Sequence, residues 1–322
     1  MKLEKKTWFP LMILCLVSVC IASATILIKY KSLAGDVNIF EKSSTDISNY
    51  NWKNPVDSAK LVSPVSVTGD VYLFGERVPL EDPDVRERLE RELQLNTYWH
   101  SNTMMSMMLA NRYFGQLETI LKANQVHEDF KYLALIESGF RNDVSAAGAV
   151  GFWQIIKPTA QIYNLEVNSE VDERYNIEKS TVAACKYLTD AKSKFGNWTI
   201  AAGSYNLGMG SMAQRITDQK TNNFYDLYLN PETSRYIFRI LATKIIFSNP
   251  KRAGFNIKPV DLYQPYRYKI VTIDSSIYNI SDFAAQYHLK YKHIKILNTW
   301  LRDAKLTNKA KKQYEIRILE MN

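Results

Sequence analysis

"ALIESGFRNDVSAAGAVGFWQ", residues 134–154, sets one carboxylate, Glu137, at the end of an apolar run and follows it with small residues and a Gln. Leu133 and Ala134 stand four and three positions before Glu137, a spacing that shares one face of an α-helix, and Phe140 lies just beyond. The acid therefore falls on the apolar stripe of a helix expected over 129–138. Desolvation there disfavours the ionised form and raises the carboxyl pKa, so the group can keep a proton near neutral pH and donate it. Cleavage of a glycosidic bond needs such a donor. The competing reading is a helix-end Glu that reaches solvent or a neighbouring Lys, an ordinary arrangement at an amphipathic boundary.

The residues after the acid favour the first reading. Gly148, Gly151 and the residues Ala146, Ala147 and Ala149 let backbone come close to a ligand, and Gln154 offers a donor and an acceptor for a sugar amide or hydroxyl. Trp153 is either a stacking face or a core anchor. Asp143, in the polar stretch "RNDV", is the nearby second acid that hydrolysis would use; a lesser role is assigned to it.

Outward from this segment the pattern is helical. In "PLEDPDVRERLERELQL" Val85, Leu89 and Leu93 recur at four-residue spacing after an acidic start at Asp82 and Asp84, which suits a helix N-terminus. Further helical patterns run over 104–123, 157–163, 177–195, 198–206 and 234–248, and Pro250 and Gly254 punctuate the end. The Met cluster at 104–108 is expected to fill core. No alternating strand pattern of any length intervenes, so the middle of the chain is mainly α. The last part differs: "YRYKIVTI" (266–273) and "QYEIRIL" (313–319) read as strands, with two short helices between them.

The N-terminal end is of another kind. Residues 8–28 are uncharged and apolar, long enough to cross a bilayer, and follow Lys2, Lys5 and Lys6. They read as a membrane anchor or a signal peptide. Ala22-Ser23-Ala24 resembles a cleavage site and Cys20 a lipidation site, but Val19 is bulky and the apolar run continues to Ile28, which favours a retained span. Residues from 29 to about 80 are polar and interrupted by Pro55 and Pro64; they read as a tether with a few short strand-like pieces.

Of the 322 residues 46% are apolar, enough for a packed core, and the net charge is +8. From Lys251 onward there are 14 Lys and Arg against 6 Asp and Glu, so the C-terminal part holds the excess. A basic module invites an acidic partner, a polyanionic envelope surface more than nucleic acid, although a solvated basic face explains it as well. Cys185 stands alone outside the span and is expected in the core, which leaves no disulfide framework. His100, His127, His288 and His293 lack metal-ligand spacing, and neither a metal nor a cofactor is expected.

The order of "ES" (Glu137, Ser138), Ser145, "GAVGFWQ" (148–154), "SYNLG" (204–208) and Tyr236 in "ETSRYIFRILA" resembles the soluble-lytic-transglycosylase domain, particularly of the membrane-bound murein transglycosylase D type, over roughly 85–250. The resemblance implies a mainly α, lysozyme-like fold. It implies that Glu137 is the catalytic acid and that Ser145 contacts it or the substrate's acetamido group. Gln154, Tyr205 and Asn206 would line the sugar cleft, and Tyr236 would support the Glu. Asp172 and Arg174 in "VDERY" are expected to form a local ion pair that holds a loop. This chain departs from the pattern at "RNDV" and at Gly203-Ser204.

The implied reaction cleaves the bond between N-acetylmuramic acid and N-acetylglucosamine with formation of a 1,6-anhydro ring. A non-catalytic wall-tethering protein and a hydrolytic goose-type lysozyme are the alternatives. The C-terminal module resembles a divergent LysM domain, a small α+β fold that binds N-acetylglucosamine chains. The expected organisation is an anchor or signal segment over 1–30, a tether over 31–80, a catalytic domain over 81–255 and a LysM-like module over 265–320. The expected partners are peptidoglycan glycan strands and, through the span, the membrane of a cell envelope, with the catalytic domain in the periplasm or otherwise outside the cytoplasmic membrane.

Overall fold

The computed structural model describes residues 64–320, and the apolar span expected at the N-terminus lies outside them. The described chain opens with a short hairpin of β1 (Tyr72–Leu73) and β2 (Glu76–Arg77). Its neighbours are not tether. Val67, Leu73, Phe74 and Val78 are buried among the helices, and Phe74 stacks on Phe130 with 4.1 Å between ring centroids. Packing thus starts before residue 81, since a few well-seated apolar side chains anchor a segment that has no sustained period of its own.

Three helices follow: α1 (Pro83–Tyr98), α2 (His100–Ala123) and α3 (Phe130–Ser138). α1 starts where its sequence dictates. Pro83 takes the first turn, where a missing N–H is harmless, and Asp82 accepts the Asp84 N–H at 2.9 Å. Val85, Leu89 and Leu93 are its buried stripe. In α2 the buried stripe is Thr103, Met107, Ala110, Leu117 and Leu121. Of the Met cluster only Met107 belongs to it; Met104 and Met105 fall off the helical spacing and are 43% and 55% exposed, so core filling holds for one residue and not for the cluster.

Next come α4 (Lys157–Ile162), α5 (Ile177–Phe195), α6 (Trp198–Leu207), α7 (Met209–Gln219) and α8 (Pro231–Ser248). α7 is absent from the sequence reading. Met209, Met212, Ala213 and Ile216 carry helical spacing, but Gly208 and Gly210 at its start read as breakers. α8 packs against α1, α3 and α6, and α5 packs against α2 and α6. Asn230 accepts the Thr233 N–H at 2.9 Å to start α8, which then buries Tyr236, Ile237, Phe238, Ile240 and Leu241. A helix buried on so many sides can carry side chains to several neighbours at once.

The C-terminal part is β3 (Tyr268–Ile273), α9 (Ile280–Ala285), α10 (Tyr291–Leu297) and β4 (Tyr314–Leu319). β3 and β4 pair antiparallel, with Tyr268 opposite Leu319 and Ile273 opposite Tyr314. The described chain is therefore mainly helical, with a small antiparallel sheet at its C-terminal end. Ile280, Ile294, Leu301, Ile316 and Ile318 form the centre of this module, and Val150, Val171 and Tyr175 of the helical part belong to the same buried cluster. Each fully buried Leu or Ile contributes about 1.5–3 kcal/mol relative to exposure, so the seam is costly to open.

Polar groups complete the seam. The Asp172 N–H donates to the Trp300 carbonyl at 2.9 Å, the Arg302 N–H to the Glu170 carbonyl at 2.7 Å, and Thr299 Oγ1 to the Tyr175 carbonyl at 2.9 Å. Lys312 pairs with Glu166 and Glu173. No helix among the described residues is long and apolar enough to cross a membrane.

Candidate active site

Glu137 is the next-to-last residue of α3. Gly139 ends the helix in the left-handed region at φ 57°, its N–H returning to the Leu135 carbonyl at 2.7 Å, a conformation that glycine adopts without penalty. Ser138 then ties the helix end to the following loop: its Oγ donates to the Phe152 carbonyl and accepts the Phe140 N–H, both at 3.0 Å. The chain therefore turns away directly after the acid and leaves the carboxyl in the lining of a cleft of about 570 Å³.

Burial raises the Glu137 pKa; the Tyr236 hydroxyl, which donates to Oε1, and the nearby Arg239 cation oppose that rise, and Glu232 adds to it. The negative end of the α3 dipole acts in the same direction as burial. Arg239 is not spent on the carboxyl: its Nη2 donates to the Ile136 carbonyl at 3.3 Å. The result is a carboxyl in low dielectric with no salt-bridge partner among the described residues, able to hold a proton and to give it up to a group that enters the cleft.

The loop from 139 to 155 walls the cleft with Arg141, Asp143, Val144, Ser145 and Gln154. Ser145 is exposed, and its Oγ accepts the Ala149 N–H at 3.0 Å. Gln154, at φ 45°, donates from Nε2 to the carbonyls of Gly151 (3.0 Å) and Asp143 (3.3 Å), which crosses the loop. Asp143 is exposed and pairs with Arg141 at 3.3 Å.

Arg174 fixes the loop from beneath. It grips Asp172 through Nε (2.9 Å) and Nη2 (2.8 Å) and donates from Nη1 to the carbonyls of Gly148 (3.0 Å) and Ile155 (3.1 Å). The expected loop-holding ion pair is thus present, and both partners are buried. Gly151 owes its identity to this contact rather than to a ligand: a Cβ there would lie 2.0 Å from the Arg174 carbonyl oxygen.

Of the residues read from the sequence, Glu137, Ser145 and Gln154 line one cleft, and Tyr236 touches the acid. Tyr205 and Asn206 are not among the residues that line it. The Tyr205 hydroxyl donates to the Trp153 carbonyl at 2.7 Å, beside Gln154, and its pKa is pushed up by burial and then by the Glu137 charge. Asn206 accepts from Thr233 Oγ1 at 2.7 Å and donates to Glu232 at 3.1 Å, at the start of α8. Trp153 is a core residue, fully buried, with Nε1 donating to Thr181 Oγ1 at 2.8 Å, which removes the stacking alternative.

One pair went unread. Glu92, 2% exposed, lines the cleft and accepts both Nε (2.6 Å) and Nη2 (3.1 Å) of Arg235, the neighbour of Tyr236. Its signal was available, because Glu92 shares the apolar stripe of α1 with Val85 and Leu89, as Glu137 shares that of α3. Cys185 is buried in the core, its thiol pushed up to about 12 by burial. Among the described residues no group of three His, Cys, Asp or Glu could hold a metal ion.

Residues 92–228 match the Transglycosylase SLT domain, and residues 269–321 match the Soluble lytic transglycosylase C-terminal LysM-like domain. The Membrane-bound lytic murein transglycosylase D of Escherichia coli, in two strains, is 28% identical over 207 residues, which are 61% of this chain and 45% of the relative. The chain thus spans less than half the length of these curated relatives. A Putative tributyltin chloride resistance protein of an Alteromonas species is 27% identical over 120 residues, 37% of this chain and 58% of that protein. The X-ray structure of an inactive mutant of the lytic transglycosylase Slt from Pseudomonas aeruginosa overlaps 48% of this chain and 26% of its own, at 20% identity and a TM-score of 0.36. The stretch that resembles a transglycosylase SLT domain thus includes Glu137 and its loop, and the C-terminal stretch resembles a LysM-like domain of the soluble lytic transglycosylase type.

Proposed function

We propose that this chain is a peptidoglycan lytic transglycosylase and that Glu137 acts first as general acid and then as general base. The observation that carries the reading is the Glu137 carboxyl itself, half-buried in the lining of the cleft, hydrogen-bonded by Tyr236 and held in no salt bridge among the described residues. Protonated Glu137 gives its proton to the glycosidic oxygen between N-acetylmuramic acid and N-acetylglucosamine, and the C1–O bond breaks. The resulting carboxylate takes the proton of the muramic C6 hydroxyl, and O6 bonds to C1 as a 1,6-anhydro ring. An internal nucleophile removes the need for the second carboxylate that positions water in hydrolytic glycosidases. Ser145 and Gln154 line the same cleft and would orient the sugar amide.

The helical part from the hairpin to about 255 serves as a lysozyme-like catalytic domain, and residues 265–320 serve as a LysM-like module. The apolar stretch 8–28 anchors the protein in the cell envelope, a reading supported by its length and flanking lysines and by the word "membrane-bound" in the name of the Escherichia coli relatives. The catalytic part then works in the periplasm.

Mass analysis of sugars released from purified peptidoglycan tests the reaction. Anhydro ends are expected. Reducing ends would mean hydrolysis with Asp143 positioning water, and binding without release would leave a tethering protein. Glu137→Gln should lower release by about 10²–10⁴-fold, the usual worth of a positioned acid. Its fold should be at least as stable at neutral pH. A carboxyl whose folded pKa is raised costs stability above its unfolded pKa of about 4.3, so the variant's gain in Tm grows as pH rises past that value and disappears below it.

A further inference from the structure

A second cleft, of about 860 Å³, lies between α2 and the C-terminal sheet. The sheet has two unlike faces. Val271 and Ile273 point to the module's core with Ile316 and Ile318, whereas the alternate residues Tyr268, Ile270 and Thr272 face the cleft with Arg317. Ile270, opposite Arg317 in the register, is 54% exposed. An apolar side chain on the open face adds nothing to the module's core. The opposing wall is no accident of loose packing, because the seam bonds at Glu170, Asp172 and Tyr175 hold the two walls at a fixed separation.

The lining has the chemistry of a saccharide site. Tyr266 and Tyr268 present rings, and Asn142 and Gln313 present amides that both donate and accept, while Asn111 and Gln116 each spend an N–H, on the Tyr263 carbonyl and on Glu178, and keep the oxygen as an acceptor. The guanidinium of Arg112 stacks 4.4 Å from the Tyr266 ring centroid and donates to the Gln264 carbonyl at 3.1 Å. Among the described residues it forms no ion pair with a carboxylate, so it is available to an anionic ligand. Arg317, 4.6 Å over Tyr268, is already paired with Glu178.

The loop from 139 to 155 borders both clefts. Asn142 lines the second, and its neighbours Arg141 and Asp143 line the Glu137 cleft. We propose that the cleft between α2 and the outward face of β3 and β4 is an accessory site for an acidic, N-acetylated saccharide strand, the same polymer that enters the Glu137 cleft and continues past Asn142. This rests on the reading of the Glu137 cleft as a peptidoglycan site. The strand's sugar faces stack on the tyrosines and Ile270, its acetamido groups meet the amides, and a carboxylate meets Arg112. The C-terminal module thereby acts as half of a composite site and lengthens the grip on the polymer.

The test measures binding with Glu137→Gln in the full chain, so that turnover does not intervene. The probes are long peptide-free peptidoglycan glycan strands, a short fragment of the same polymer that fits only the Glu137 cleft, and an uncharged N-acetylglucosamine polymer as long as the strands. Long strands should bind more tightly than the fragment. Arg112→Ala with Tyr266→Ala should weaken long-strand binding by about tenfold without weakening the fragment. Ile270→Asp, an exposed change that leaves the core intact, should do the same, and Arg112→Ala alone should weaken the acidic strands more than the uncharged polymer. A length advantage that survives both sets of changes overturns the accessory site. Failure of the fragment itself to bind overturns instead the reading of the Glu137 cleft.

Discussion

Two carboxylates in this molecule are handled in opposite ways. Glu137, at the end of α3, has its pKa raised by burial, and only a tyrosine hydroxyl and a more distant arginine resist. Glu166, at the seam, is also partly desolvated, but Lys312, Tyr314 and Asn168 outweigh that and lower its pKa. One acid is half-buried outside any salt bridge among the described residues, and it holds its proton more tightly than a free Glu. The other is surrounded by donors and holds two parts of the chain together. Burial alone does not raise a carboxyl pKa; burial that leaves the charge uncompensated does.

Arg174→Ala is the harshest way to break this contrast. It leaves Asp172 buried and unpaired, which turns a compensated carboxylate into an uncompensated one and frees the carbonyls of Gly148 and Ile155. Denaturant unfolding should register a loss of about 3–5 kcal/mol, and the site loop should exchange its amide hydrogens faster. An unchanged loop would mean that Arg174 serves only the seam.

Tyr236→Phe sharpens the other side. Its hydroxyl steadies the ionised Glu137, so its removal should raise the carboxyl pKa further. The alkaline limb of the pH–activity profile, where the acid loses its proton, should move to higher pH. The maximal rate should fall about tenfold, the equivalent of roughly 1.4 kcal/mol. A profile that keeps its alkaline limb in place would mean that the hydroxyl does not tune the acid.

The smallest effect belongs to Glu166→Gln. A carboxylate with a lowered pKa stabilises above its unfolded value of about 4.3, and that contribution is lost as pH falls through the folded value. The native seam should thus loosen in acid, and the variant should lack this part of the acid sensitivity. Lys312 and Glu166 are both partly exposed, so about 1 kcal/mol or less is expected at neutral pH. Thermal melts over an acid series would measure it.

Much of this was legible along the chain. The stripe that carries Glu137, the cap at Asp82, the strand-helix-helix-strand order at the end and the Asp172–Arg174 pair all arise between residues a few positions apart, where spacing and local geometry leave few choices. Gly151 was legible as a glycine but not in purpose, because the backbone it meets is that of Arg174. The hairpin before α1 was hidden for a related reason: Phe74 and Val78 have no period and become core only because Phe130 and its neighbours receive them.

The sequence by itself determined the local elements and marked one acid on an apolar face, since helical period, capping and glycine geometry act over three or four residues. Only the tertiary structure decided which charges are answered. Tyr236 meets Glu137 across 99 positions and Arg235 meets Glu92 across 143, while the seam joins Glu166 to Lys312 across 146. Coulomb and desolvation energies depend on distance and burial in space. The identity of Glu137 was therefore visible in one dimension, and the direction of its pKa shift was set in three.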